Sequence, residues 1–276
     1  MPRVQRNRIL LLASVLVAIS PAWAGDLDPP GPPAPTMKTL VEVEPRAPLQ
    51  NDFQTLMPVV ITQPGSYYLA EDIFAFGAAH GILIQASQVT LDLNGFTVYG
   101  NVEVGSNKGI LCDIGNAGVV IKNGTVRDFF QTGIDLFSCP NSRVLDVHAL
   151  NNGLGGFGYG IFIGQDSAAV GCIAADNATD GLRSDFGSSF VRCSANDNGG
   201  IGINASVSVV DRCIARGNGG DGIRNANGLI LHSLATNSAE DGIDATNSIV
   251  QSNSAPSNTG VNIDPDANST IIENNQ

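Results

Sequence analysis

The sequence is short of charge, above all of positive charge, and short of aromatic residues. Over 276 positions, charged residues make up 14% and aromatics 6%, and 14 Lys+Arg stand against 26 Asp+Glu for a net charge of −12. Such a surface repels phosphate backbones and anionic lipid, so no nucleic-acid or membrane-surface partner is expected. A spanning helix needs roughly 20 consecutive apolar residues, and the apolar run 9–19 is about half of that. No later stretch could span, so no membrane insertion is expected. Cysteine is scarce and odd in number: Cys112, Cys139, Cys172, Cys193 and Cys213, with no C-x-x-C pair. With His80, His148 and His232 scattered as well, no metal site is expected from spacing. The 32 glycines follow no Gly-X-Y period, which excludes a collagen-like chain, and 43% hydrophobic content excludes disorder throughout.

What is present begins with a leader. Arg3, Arg6 and Arg8, the apolar run, and Ala22-Trp23-Ala24 before Gly25 read as a secretory signal over 1–24. Export to the periplasm or the extracellular space is therefore expected. Removal of the leader takes the net charge from −12 to −15 and removes the single Trp. Residues 25–36, DLDPPGPPAPT with its preceding glycine, read as an extended proline-rich linker. Residues 37–80 read as a small N-terminal cap, with two short strands around the Pro64-Gly65 turn.

From residue 81 to 276 the chain repeats. One apolar column runs Ile161, Leu182, Ile203, Ile223, Ile243, Ile263, each of the middle members preceded by glycine; a second runs Ala169, Phe190, Val210, Ile230, Val250. A third runs Ala174, Ala195, Ala215, Ala235, Ala255, followed three residues later by Asn177, Asn198, Asn218, Ser238 and Asn258. The apolar segments are too short for helices, and the leucine-rich frame is absent. A period of about 20 residues fits one rung of a parallel β-helix, with equivalent residues stacked about 4.8 Å apart. About nine such rungs are expected in an all-β solenoid, with the asparagines at a tight bend suited to left-handed backbone. Cys172, Cys193 and Cys213 recur as Cys-x-Ala and read as small inward stackers, with a bond between two of them as the alternative, while the pairing of Cys112 and Cys139 stays open.

The runs PGSYYL, GILIQASQVTLDLNGFTVYG and VVIKNGTVRDF resemble bacterial exported proteins with right-handed parallel β-helix repeats, in the broad pectate-lyase-like superfamily, over roughly residues 57–276. The resemblance implies a right-handed parallel β-helix. It is weak for activity, because that superfamily includes lyases, hydrolases, epimerases, phage tailspikes and surface proteins. Its lyases use an Arg that takes a proton beside a uronate carboxylate, often with Ca²⁺ held by Asp residues. The polygalacturonase pattern is missing, and Asp264-Pro265-Asp266 lacks the His of the epimerase-like D-P-H-D signature.

Three constellations follow from the stacking. The outward column Asp135, Phe162, Arg183, Asn204, Arg224, Asp244, together with Asp185, places Arg224 in reach of Asp244 and Arg183 near Asp185. As catalytic candidates these are Asp135, Arg183, Asp185, Arg224 and Asp244; the competing reading is an ion-pair ladder on a solvated strand. Arg192, Arg212 and His232 form a basic stripe that could take a carboxylate or sulfate if Asp211 does not intervene, or could splay into water. The insertion 153–160, GLGGFGYG, offers Phe157 and Tyr159 on a mobile loop suited to sugar rings, with Phe162 nearby, or covers a gap. Two functions are carried forward: an exported module binding polysaccharide or a cell-surface glycan, and a polysaccharide lyase acting by Arg-assisted β-elimination, with Ca²⁺ in that case. The missing hydrolase motifs and the acidic charge favour the first. The last rung, Thr270 to Gln276, has no evident cap, so end-to-end self-association or a frayed last turn is expected.

Overall fold

The computed structural model describes residues 45–51, 58–75, 80–100 and 108–272, all within one compact unit, Glu44–Gln276. The expected leader, the linker and the start of the expected cap lie outside the described residues. Among the described residues every regular element is a strand, and every pairing between strands is parallel. The chain is a right-handed parallel β-helix with three faces. One face is a ten-stranded sheet running from Val59–Ile61 to Ile263–Pro265; the other two merge into one seventeen-stranded sheet, because Val120–Arg127 and Arg143–Leu150 run unbroken around the corner between them. About ten turns are present among the described residues, in line with the about nine expected. The first comes from the segment read as a cap: Val59–Ile61 pairs with Ile82–Ile84, and Gly65–Leu69 with Val89–Asp92, so these strands flank a solenoid corner.

The registers are those of the sequence columns. Ile161 faces Leu182, Leu182 faces Ile203, Phe190 faces Val210, and Ala174 faces Ala195. All of these side chains are buried in the bore, which is where apolar stacking supplies the main stabilisation.

The corners follow a rule that the sequence reading placed one residue off. The left-handed backbone falls on the residue before each asparagine: Asp176, Asp197, Gly217, Asn237 and Ser257, with φ between 53° and 69°. The asparagine itself turns inward. The Asn177 N–H and Nδ2 both donate to Asn198 Oδ1, at 3.1 and 2.9 Å, and Asn198 repeats the pattern onto Asn218 at 3.1 and 3.0 Å. This ladder explains the glycine column. A Cβ on Gly181 or Gly202 would lie 2.6 or 2.5 Å from the amide nitrogen of Asn198 or Asn218. The other two corners repeat the device. Serines 142, 167, 188, 208 and 248 cap one, each following a left-handed residue. Cys172, Cys193, Cys213, Ser233 and Asn253 cap the other. Here the thiols are more than apolar stackers, since Cys193 and Cys213 donate to the Ala169 and Phe190 carbonyls of the turn before, at 3.3 and 3.4 Å. All three are free and buried, whereas Cys112 and Cys139 form a disulfide.

Candidate functional site

The ten-stranded face carries the candidate site where its turns are longest. Ile82, Ile110, Ile134 and Ile161 stack at steps of 28, 24 and 27 residues. Beyond Ile161 the steps fall to 21 and 20. A cleft of about 460 Å³ opens over this face, lined by Lys108, Asp135, Phe137, Phe157, Tyr159, Phe162, Asp180 and Arg183 with Gln131, Thr132, Gly158 and Thr179.

Its wall is the 153–160 insertion. Gly153 and Gly156, at φ 84° and 81°, supply left-handed turns, and Gly158 lies so close that a Cβ would meet the Gln131 carbonyl carbon at 2.5 Å. The loop is hydrogen-bonded to the turns on either side of it. The Gly153 N–H donates to Gln131 O at 2.7 Å and the Gly155 N–H to Phe130 O at 2.9 Å, while Thr179 Oγ1 donates to Gly158 O. Phe157 remains 81% exposed at the tip.

The floor is aromatic. Phe162 stacks on Phe137 with ring centroids 4.8 Å apart and meets Tyr159 edge-on at 5.2 Å. The Arg183 guanidinium lies 4.9 Å from the Tyr159 ring centre and 5.6 Å from that of Phe162. It pairs with Asp180 at 3.0 Å and not with Asp185, because an acid three residues back sits at the strand entrance where the side chain leans. Asp180 is itself fixed: its Oδ1 accepts from the Ile201 N–H at 3.0 Å and its Oδ2 from Asn204 Nδ2 at 2.8 Å. Opposite, Lys108 Nζ pairs with Asp135 at 2.6 Å, and Asp135 also accepts the Phe137 N–H at 3.1 Å. Behind Lys108, His80 Nδ1 accepts the Lys108 N–H at 3.3 Å, which fixes a neutral imidazole; burial, then the nearby Lys108 ammonium, holds its pKa below the usual histidine value. The Cys112–Cys139 disulfide staples the turn that holds Lys108 to the turn that holds Asp135.

Five sequence candidates therefore meet in one cleft: Asp135, Arg183, Phe157, Tyr159 and Phe162. Asp185, Arg224 and Asp244 do not line it. Arg224 pairs with Asp244 at 2.9 Å as expected and also with Asp221 at 2.6 Å. Burial pulls its pKa down, but Asp221 and Asp244 more than offset this and leave it above the ordinary arginine value, the wrong direction for a base. Arg192, Arg212 and His232 occupy left-handed positions at the corner opposite the ten-stranded face. There Asp211 bridges Arg212 at 2.7 Å and His232 at 2.9 Å, so the acid intervenes in the stripe. Asp135 and Asp244 stand in separate ion pairs, and among the described residues no three His, Cys, Asp or Glu side chains are grouped to hold the Ca²⁺ that a lyase would bring. The donor set does not fit the ion. Lys108, Asp180 and His80 were missed. Lys108 and His80 lie in turns too irregular to align; Asp180 has its own column with Asp221 and Asp241, but Ile201 interrupts it.

No protein-family model matches the chain, and no curated protein matches it. Among solved structures it is similar to the A-module of the mannuronan C-5 epimerase AlgE4 of Azotobacter vinelandii, with a TM-score of 0.59 and 17% identity over 71% of this chain and 64% of that one. It also aligns with the Dettilon tailspike protein at a TM-score of 0.49 and 10% identity, over 80% of this chain and 59% of that one. The chain thus spans less than two thirds of either structure. At these identities the likeness establishes the parallel β-helix and nothing finer.

Proposed function

We propose that this is an exported β-helix protein that binds polysaccharide or a cell-surface glycan in the cleft over its ten-stranded face. The observation that carries the reading is the aromatic floor, Phe162 packed between Phe137 and Tyr159, bordered by fixed carboxylates. Aromatic faces take the apolar faces of sugar rings, and carboxylates accept their hydroxyls. The β-helix it resembles belongs to an epimerase named for mannuronan, so this fold carries polysaccharide chemistry elsewhere. Phe162→Ala is expected to weaken retention in glycan-affinity electrophoresis at least tenfold without changing the fold. Equal retention would remove the cleft from the reading.

The second reading, a polysaccharide lyase, rests on Arg183 lining the same cleft. Against it, the guanidinium is committed to Asp180 and to two aromatic faces. Uronate polymers incubated with the protein, with and without Ca²⁺, should release no unsaturated product absorbing in the ultraviolet. Release that disappears in Arg183→Ala would make this the better reading.

A further inference from the structure

We infer that the polysaccharide this cleft takes is uncharged and hydroxyl-rich, not a polyuronate; the inference rests on the binding reading above. Both cations in the cleft already have partners. Lys108 is held by Asp135 at 2.6 Å and Arg183 by Asp180 at 3.0 Å. Neither acid is free to yield, because Asp135 is also anchored by the Phe137 N–H, and Asp180 by the Ile201 N–H and the Asn204 amide. Arg183 also lies over the Tyr159 and Phe162 rings, 4.9 and 5.6 Å from their centres. An entering uronate carboxylate would displace a backbone-anchored acid and then lie beside it, in the field of a chain of net charge −12. A neutral sugar has no such conflict. Its hydroxyls donate to the remaining lone pairs of Asp135 and Asp180, and its apolar face covers Phe162.

The test compares retention of the full chain on neutral polymers (xylan, glucomannan, mixed-linkage glucan) with retention on alginate and polygalacturonate, in wild type, Phe162→Ala and Asp135→Asn. The expected result is that wild type binds at least one neutral polymer ten times or more tightly than either polyuronate, and that Phe162→Ala loses it. Asp135→Asn, which releases Lys108, should narrow that gap. Polyuronate binding equal to or tighter than neutral binding, and sensitive to Phe162→Ala, would overturn the neutral-ligand inference while leaving the binding reading intact. No retention on any polymer, or retention indifferent to Phe162→Ala, would overturn both. The wild-type comparison decides the point even where Asp135→Asn fails to fold.

Discussion

The turns before residue 161 and those after it are built to one plan and used differently. After Ile161 each turn takes 20 or 21 residues, and up to Asn258 each described corner is one left-handed residue followed by one inward capping side chain, except at Asn227, where Gly228 follows. Before it, the same face is reached only after 23 to 28 residues, and the excess holds the cleft wall, Lys108 and the disulfide. The comparison teaches that the departures from regularity build the cleft wall and its Lys108 side, while the regular turns supply the stability and, at their start, Phe162, Asp180 and Arg183. In a solenoid each turn contacts only its neighbours, so the two regions can be perturbed separately.

The largest effect should come from the regular bore. Phe190 is fully buried, and Phe190→Ala should cost about 4 kcal/mol through lost transfer energy and the cavity left behind. Phe157→Ala, at 81% exposure, should change the melting temperature little and glycan retention strongly. Equal thermal effects would erase the distinction. Next comes the staple. Opening Cys112–Cys139 by reduction releases a loop with a sequence separation of 27. That should cost roughly 3.5 kcal/mol on the loop-entropy account. Hydrogen exchange should rise around Lys108 and Asp135 and stay unchanged from Cys172 to Asn253.

The ladder is a smaller test of the regular half. Asn198→Ala strips the acceptor from the Asn177 N–H and Nδ2 and the donor to the Ala174 carbonyl. Leaving buried groups unpaired should cost about 2 kcal/mol, seen as a lowered urea midpoint. In the irregular half, acid should act first. Burial pushes the Asp92 carboxyl up, but the Asn94 N–H, Lys122 and Asn123 more than offset it and hold it below the usual range. A depressed folded value contributes stability that is present above the unfolded carboxylate value and is lost as pH falls through the folded one. Asp92→Asn should flatten the stability profile below about pH 4, and an unchanged slope would exclude Asp92 as its source.

The bore was legible because apolar columns survive a straight alignment. The cleft was half legible: Asp135, Phe162 and Arg183 stand in a column, and Phe157 and Tyr159 in a visible insertion. Lys108 has no such signal, because the turn that carries it shares no register with its neighbours in sequence. Some apparent breaks are repairs. Gly228 stands in the serine column and Asn225 in an apolar one; in space Asn225 Nδ2 donates to Ser208 O at 2.9 Å, and a Cβ on Gly228 would lie 2.5 Å from that amide. Read along the chain these are two faults, and only the stacked coordinates make them one substitution.

The smallest effect tests whether the corner rule is a backbone rule. At the serine-capped corner the left-handed position holds Asn141, Asp166, Gly187, Asn227 and Asn247, but also Val207, at φ 49°. A β-branched side chain there is costly, since the left-handed conformation disfavours any Cβ by roughly 1–2 kcal/mol and only Gly, Asn and Asp visit it readily. Val207 is 42% exposed, so little burial compensates for it. Val207→Asn should therefore stabilise the chain by about 1 kcal/mol, raising the urea midpoint without changing the slope of the transition. A loss of stability would mean that Val207 contributes packing at the corner, and that one-residue corners are selected by their neighbours and not by their φ.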